Sequence, residues 1–417
     1  MSDNERVTNW AGNIVFGARR LHRPETVEQV QELVAGGGPV KVLGSGHSFN
    51  RMADTTGDLV SLAALPRVFE VGPYHNSVRI DGGMRYGELA GRLDAEGLAL
   101  HNMASLPHIS VAGAIATATH GSGQHNGNLA TAVSAIEFIG GDGKLVTLRR
   151  DGDGDNFCGA VVGLGALGVV TSLTLDVVPA FELRQYVYDD LPRASLDTDL
   201  DAILGAGYSV SLFTNWTSRD ITMAWLKRRT ELTSDDFHGA HRADGPRHPV
   251  PGMPAHNSTD QSGEPGAWHT RLPHFRMEFT PSSGQELQSE YHLPRERALE
   301  AIDAVAAIGG HISPVLQICE LRTIAADDLW LSPNYQRDTF ALHFTWVADA
   351  DAVLPAVARL EEALAPFDPR PHWGKVFTTD PSTVRAQYEH FADFVALVRQ
   401  HDPNGVFSNP YLQAILG

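Results

Sequence analysis

The spacing of hydrophobic positions changes near residue 180, and the predicted elements change with it. In the first part, short apolar runs at 40–43, 59–62 and 78–81 read as strands, the last closed by Gly82 and Gly83. Residues 86–98 carry apolar positions at helical spacing. Residues 133–139, the turn GGDG and residues 144–148 predict a hairpin. Residues 169–178 alternate as a further strand, which Pro179 is expected to end. Short helices set among strand pairs, without a regular strand–helix–strand repeat, give an α+β class.

Beyond residue 181, 208–216 and 221–227 predict neighbouring strands. Residues 229–272 are rich in Pro, Gly, His and Asp and have no period, which predicts a long loop at the surface. Whether it covers a pocket or has no such role stays open. A strand at 287–292, a helix at 294–307, strands at 314–323 and 340–346 and a helix at 352–363 then predict a sheet with helices on one side. Residues 382–399 predict a helix before the tail HDPNGVFSNPYL.

A chain of 417 residues suggests about two domains. The net charge of −18 argues against nucleic acid or an anionic membrane as partner. An anionic cofactor stays compatible, because backbone N–H groups can hold it without lysines. No apolar run reaches the ~18 residues of a membrane span, and the polar start MSDNERVTNWAGN lacks a signal-peptide core. Two cysteines, Cys158 and Cys319, make no disulfide framework, so a cytoplasmic location is expected.

Several motifs fail. GSGHSF has Phe49 where a dinucleotide fingerprint needs its third glycine. GGDGK lacks the Ser or Thr of a P-loop, and neither G-x-S-x-G nor H-E-x-x-H occurs. DGDGDN lacks the glycine and the glutamate of a calcium loop, so no metal is expected.

Other stretches keep a chemical reading beside a structural one. GSGHS at 44–48 is either an anion-binding turn or a strand-to-helix turn in which His47 caps the backbone. PHISVAGAIATATHGSGQHNG at 107–127 is small-residue chain that lets a flat or phosphorylated ligand approach, or a tightly packed helix and turn. One extended ligand, such as a dinucleotide, can touch both segments. ALGVVTSLTLDVVP at 166–179 reads alone as a buried strand. In QICELR, Glu320 and Arg322 share one strand face, and in FALHFTW so do His343 and Thr345. These are exposed ladders or the wall of a polar pocket. Lys375 in HWGKVF is a solvated lysine, or a desolvated one beside Trp373 and Phe377, where the free amine is a better general base.

The order GSGHS, ISVAGAIATATHGSG, GALGVVTSLTL and DPNGVFSN resembles the vanillyl-alcohol-oxidase-type FAD flavoproteins. Within them the whole chain is similar to the alditol (xylitol) oxidases, through NMASLPHISVAG, HPVPGMP, LPHFRMEFTPSSG, ELQSEY, CELR, DDLWLSP, HFTW and RPHWGKVF. The resemblance implies two domains, a PCMH-type FAD-binding domain and an α/β substrate cap. The flavin domain would span residues 1–179, with 376–417 returning to it, and the cap 180–375. It implies FAD bonded covalently to His47. Around the cofactor it implies Val42, Leu43, Gly44, Ser45, Gly46 and Ser48 from the first turn, and Ser105, Ser110, Gly113, Thr117, Ala118, Thr119 and His120 from the second segment, with Val169 and His372. Ser105, Glu320, Arg322, His343, Thr345 and Lys375 match the polyol pocket. Two positions depart from the pattern, His101 before NMAS and His125 in GSGQHNG.

The implied reaction oxidises a terminal primary alcohol of an alditol, such as xylitol or sorbitol, to the aldose, with O2 reduced to H2O2. Lys375 is the first candidate for base or O1-polarising group, Ser105 holds the reacting end, and Glu320, Arg322 and Thr345 bracket the hydroxyls. A working monomer is expected. The alternatives are an aldonolactone oxidase or dehydrogenase (gulono- or galactono-lactone), a non-catalytic flavin- or polyol-binding protein, and a phosphate-binding hydrolase.

Overall fold

The computed structural model describes residues 7–278 and 285–417. The opening residues 1–6 and residues 279–284, which end the LPHFRMEFTPSSG stretch, lie outside it.

The strand Val40–Val42 lies parallel to Asp58–Val60, which pairs in turn with Arg20–His22. Beside this small sheet stands an antiparallel one ordered Phe69–Val71, Ser77–Asp81, Val169–Asp176, Val133–Ile139 and Leu145–Arg149. The hairpin around GGDG is present. Pro179 does not end its segment: Val178–Pro179 pairs with Leu98–Ala99, a short ladder that accommodates a residue without an N–H.

The C-terminal tail returns to this half for reasons visible in DPNGVFSN. The Asp402 carboxylate accepts from the N–H groups of Val406 and Phe407, each at 2.8 Å, which folds the turn. Val40 N–H donates to Val406 O at 2.8 Å. The Asn409 amide donates to the carbonyls of Arg51, Met52 and Asp54. Helix Phe391–His401 packs on helix Gly154–Val161, close enough that a Cβ at Gly159 would lie 3.0 Å from Leu397, and the same Cβ would overlap the Trp330 ring. The predicted 382–399 helix is two, Pro381–Ala386 and Phe391–His401, separated by a turn.

The middle of the chain forms a nine-stranded sheet, antiparallel in every pairing. At its centre Ser209–Thr214, Leu316–Ile324, Thr339–Val347 and Glu286–Pro294 lie side by side. Alternation decides which residues face where. Leu321, Leu342, Phe344 and Trp346 share one apolar core with Leu196, Ile302, Val357 and Leu360 from helices Arg193–Leu204, Ala298–Ala307 and Ala350–Leu364. The intervening residues face the opposite side, toward the first half of the chain. The 229–272 segment is not a simple surface loop, because Trp268 and Leu272 are buried in the core of the first half.

Lys41 fastens three of these pieces. Its ammonium donates to Gly165 O at 2.9 Å and Phe407 O at 3.1 Å. Burial lowers its pKa to about 7, against the opposing pull of Asp402. In the unfolded chain the amine titrates near its ordinary value of 10.5. Between these values the unfolded chain binds the extra proton, so this group makes stability rise as pH rises from about 7 to 10.5. Lys41→Met removes that dependence. The melting temperature of the variant minus that of the wild type should therefore fall steadily across this range, and a difference independent of pH contradicts the assignment.

Candidate active site

One large cavity runs from the GSGHS turn to the polar face of the central sheet. At one end it is lined by Val42, Leu43, Gly44, Ser45, Gly46, His47 and Ser48. Gly46 has φ +70°, the left-handed region that favours glycine. A Cβ at Gly44 would overlap the Ser110 hydroxyl, so the turn and the second glycine-rich segment meet with no room for a side chain. The Ser110 N–H donates to Ser45 Oγ at 3.1 Å, tying the two segments together. Ser105, Ser110, Gly113, Thr117, Thr119 and His120 continue the wall. Ala118 and Val169 do not reach it. Ala118 is buried at φ +52°, and Val169 packs in a separate core with Ile139 while its neighbour Val170 lines the cavity. Nor do His101 and His125 line it: His101 is packed against Gly127 O, and His125 is exposed.

His47 stacks on Trp10 with centroids 4.9 Å apart and planes at 17°. Its Nδ1 lies 3.1 Å from Ser45 O and so carries the hydrogen. Its Nε2 is buried and has no hydrogen-bond partner among the described residues. Burial lowers its pKa to about 4, leaving a neutral imidazole with a free lone pair. An orphaned nitrogen in a cavity wall of glycines, serines and threonines fits a flat, phosphorylated cofactor such as FAD.

At the other end the cavity meets a buried network of charges. Glu320, His343 and Glu290 stand opposite one another on three adjacent strands. One Glu290 oxygen is 2.7 Å from Arg322 Nη2 and 3.0 Å from His120 Nε2. The other is 2.5 Å from Lys375 Nζ and 3.5 Å from His343 Nδ1. Lys375 also contacts His343 Nδ1 directly, and His343 Nε2 lies 3.2 Å from Thr345 Oγ1. His372 closes the group on the flavin side, its ring centroid 6.3 Å from that of His120. Glu320 accepts from His274 Nε2 at 2.7 Å, and Arg322 Nε stands 3.7 Å from the same oxygen.

The electrostatics follow from burial and pairing together. Burial pushes Glu290 up, but Lys375, His120 and Arg322 outweigh it and hold the carboxyl well below its usual range. Glu320 is likewise pushed up by burial and held low by Arg322 and His274. Burial lowers Lys375, Arg322 adds to the lowering, and Glu290 opposes it. His343 is lowered to about 4 by burial and then by Lys375, which leaves it neutral. His120, Glu290 and His292 have donor atoms within 4.8 Å of one another, a spacing that a metal ion accepts. The Glu290 carboxylate already carries Arg322 and Lys375, however, and a dication there would face both.

Every residue expected in the polyol pocket lines this cavity: Ser105, Glu320, Arg322, His343, Thr345 and Lys375. Glu290, which joins most of them, went unrecognised. The alternation that identified Glu320 and Arg322 also applies to ELQSEYHLP, where Glu290 and His292 alternate with core residues Leu287, Tyr291 and Leu293. His274 had no such signal, because it arrives from the end of an irregular segment.

Residues 18–149 match the FAD binding domain family, and residues 281–415 match the D-arabinono-1,4-lactone oxidase family. The fold is that of a cholesterol oxidase from B. sterolicum, with a TM-score of 0.79 at 15% identity over 99% of this chain and 96% of that one. With the glycine-lined cradle opening onto a buried polar sheet face, this defines an FAD-dependent oxidase of the vanillyl-alcohol-oxidase type. Several curated relatives match nearly end to end. L-gulono-1,4-lactone dehydrogenase of Mycobacterium tuberculosis is 29% identical over 434 residues, 98% of this chain and 99% of the relative. Alditol oxidase of a Streptomyces species is 55% identical over 414 residues, 98% of this chain and 99% of the relative. The chain belongs to the alditol oxidase family.

Removing the Glu290 charge while keeping its shape isolates its part in this network. Glu290→Gln leaves Lys375 buried without its paired carboxylate and Arg322 with Glu320 alone, which should cost about 3–5 kcal/mol. Urea unfolding followed by tryptophan fluorescence measures this, and a midpoint equal to that of the wild type would show that the network is not balanced by Glu290.

Proposed function

We propose that the protein oxidises the terminal primary alcohol of an alditol, xylitol or sorbitol among the candidates, to the aldose, while O2 is reduced to H2O2. The observation that carries this reading is that one cavity joins the glycine-lined cradle to a sheet face of paired acids and bases. A polyol presents donors and acceptors at every carbon, and such a face can meet both. Bound FAD supplies the two-electron acceptor that O2 reoxidises.

In this reading the flavin domain comprises residues 1–179 and 376–417, and the cap 180–375. His47 holds the cofactor covalently, supported by its neutral, unpartnered Nε2. It anchors the flavin and does not take the substrate proton. Lys375 receives the O1 proton. Its lowered pKa makes the free amine accessible, and the ammonium it becomes is stabilised by Glu290 at 2.5 Å. Arg322 and Glu320 bracket hydroxyls further along the chain, Thr345 and neutral His343 add a donor and acceptor pair, and Ser105 holds the reacting end. Work as a monomer in the cytoplasm belongs to the same reading. It is consistent with the net charge of −18, two free cysteines and, among the described residues, no helix long and apolar enough to cross a membrane.

The match of residues 281–415 to D-arabinono-1,4-lactone oxidase favours aldonolactone oxidation as the second reading. An oxygen-consumption panel of alditols against aldonolactones separates the two, and the first predicts uptake with xylitol or sorbitol well above any lactone. A protein that only binds flavin or polyol would consume oxygen with neither. For the cofactor, acid precipitation of the wild type should leave yellow flavin in the pellet, and His47→Ala should release it to the supernatant. Flavin retained by that variant contradicts the covalent assignment. Lys375→Ala should slow anaerobic flavin reduction by about 100-fold or more while changing polyol affinity much less. An unchanged rate removes Lys375 from the proton step.

A further inference from the structure

A buried lysine from a cap strand and a histidine from the end of the long irregular stretch meet beside Glu320, and the reading above assigns a role to neither. Lys227 lies on strand Ile221–Arg228 and is buried. Its Nζ donates to Leu272 O at 2.5 Å, Pro273 O at 3.2 Å and His274 Nδ1 at 3.2 Å. An ammonium has three N–H groups, and these are three acceptors. The Glu320 carboxylate, held ionised by its neighbours, can only accept, so His274 Nε2 must donate to it and Nδ1 is left to accept the third N–H. That fixes the tautomer: His274 carries its hydrogen on Nε2 and donates it to Glu320 Oε1, 2.7 Å away.

The imidazole has little freedom to do otherwise. It packs between Trp225 and Phe213, at centroid distances of 4.9 and 5.8 Å. Phe213 is the cross-strand neighbour of Glu320. The His274 backbone is held at both ends, donating to Ser105 O at 3.0 Å and accepting from Thr259 N–H at 2.9 Å. One peptide therefore connects Ser105, on the flavin side, to Glu320 on the cap sheet. His274 and Arg322 both address Oε1, and among the described residues no hydrogen bond reaches Oε2 of Glu320.

We infer that Lys227 and His274 are positioning residues that lock Glu320 in one rotamer, with Oε2 presented to a substrate hydroxyl. The inference rests on the alditol reading of this cavity. Glu320 accepts a hydrogen bond from a polyol hydroxyl, and the Lys227–His274 pair sets the orientation of that acceptor. The pair takes no part in removing the O1 proton, so its effect falls on substrate binding rather than on the chemical step.

Three variants test this: His274→Leu, His274→Gln and Lys227→Met, each purified with bound flavin and assayed for peroxide release with xylitol and sorbitol. The His274→Leu change should raise KM on the order of tenfold or more, as expected for losing a hydrogen bond to a charged group, with kcat within about threefold. His274→Gln retains a side-chain N–H that can reach Glu320 and should recover most of the KM. Lys227→Met should raise KM by a smaller factor. Unchanged KM in His274→Leu overturns the inference. So does a fall in kcat at constant KM, or an equal KM defect in the Gln and Leu variants. If His274→Leu yields no folded yellow protein, Lys227→Met decides alone: a raised KM supports the inference, and an unchanged one overturns it. Wild-type turnover separates the two levels. Failure to oxidise any alditol defeats the functional reading, whereas normal alditol turnover with an indifferent His274→Leu defeats only the positioning role.

Discussion

The site depends on a carboxylate that has no access to water. Glu290 is 1% exposed and lies within 3.5 Å of Arg322, His120, Lys375 and His343. A buried ion of either sign is expensive, and the expense is offset only when counter-charges and hydrogen bonds are all in place. Without Glu290, Arg322 and Lys375 would repel across the cavity floor. With it, an arginine and a lysine can stand close together in a cavity away from bulk water. The same carboxylate sets two opposing demands on Lys375. Burial and Arg322 favour the free amine, and Glu290 favours the ammonium. Such a balance suits the proton uptake and release proposed for Lys375.

The sheet makes this arrangement possible through its period of two. On strands Leu316–Ile324, Thr339–Val347 and Glu286–Pro294, one face is mostly apolar and packs against helices, and the other carries Glu320, Arg322, His343, Thr345, Gln288 and Glu290. Helix packing on one side therefore fixes the registry of the charges on the other. A one-residue slip of the middle strand would turn His343 and Thr345 into the helix layer and remove both from the site.

This period is why much of the cap was legible in the amino-acid sequence. QICELR and FALHFTW declared their polar faces, and all four residues read from them line the cavity. The GSGHS turn was legible as a place for close backbone approach, and Gly44 and Gly46 occupy it for that reason. What stayed hidden came from contacts between residues far apart in the chain. His274 reaches Glu320 across 46 residues from an irregular segment, and Lys41 meets Phe407 across 366. No local pattern encodes such pairs. Val169 shows the limit of positional inference in the other direction, since its neighbour Val170, on the opposite strand face, is the one that reaches the cavity.

The flavin cradle and the charged face share one cavity, and the central claim is that an alditol bound there passes electrons directly to the flavin. Mixing the purified yellow protein with xylitol or sorbitol in the absence of oxygen, while recording the flavin absorbance, tests this most directly. The account predicts that the yellow band bleaches, and that admitting air restores it with release of H2O2 in an amount equal to the aldose formed. A band that persists unchanged under saturating alditol would contradict it.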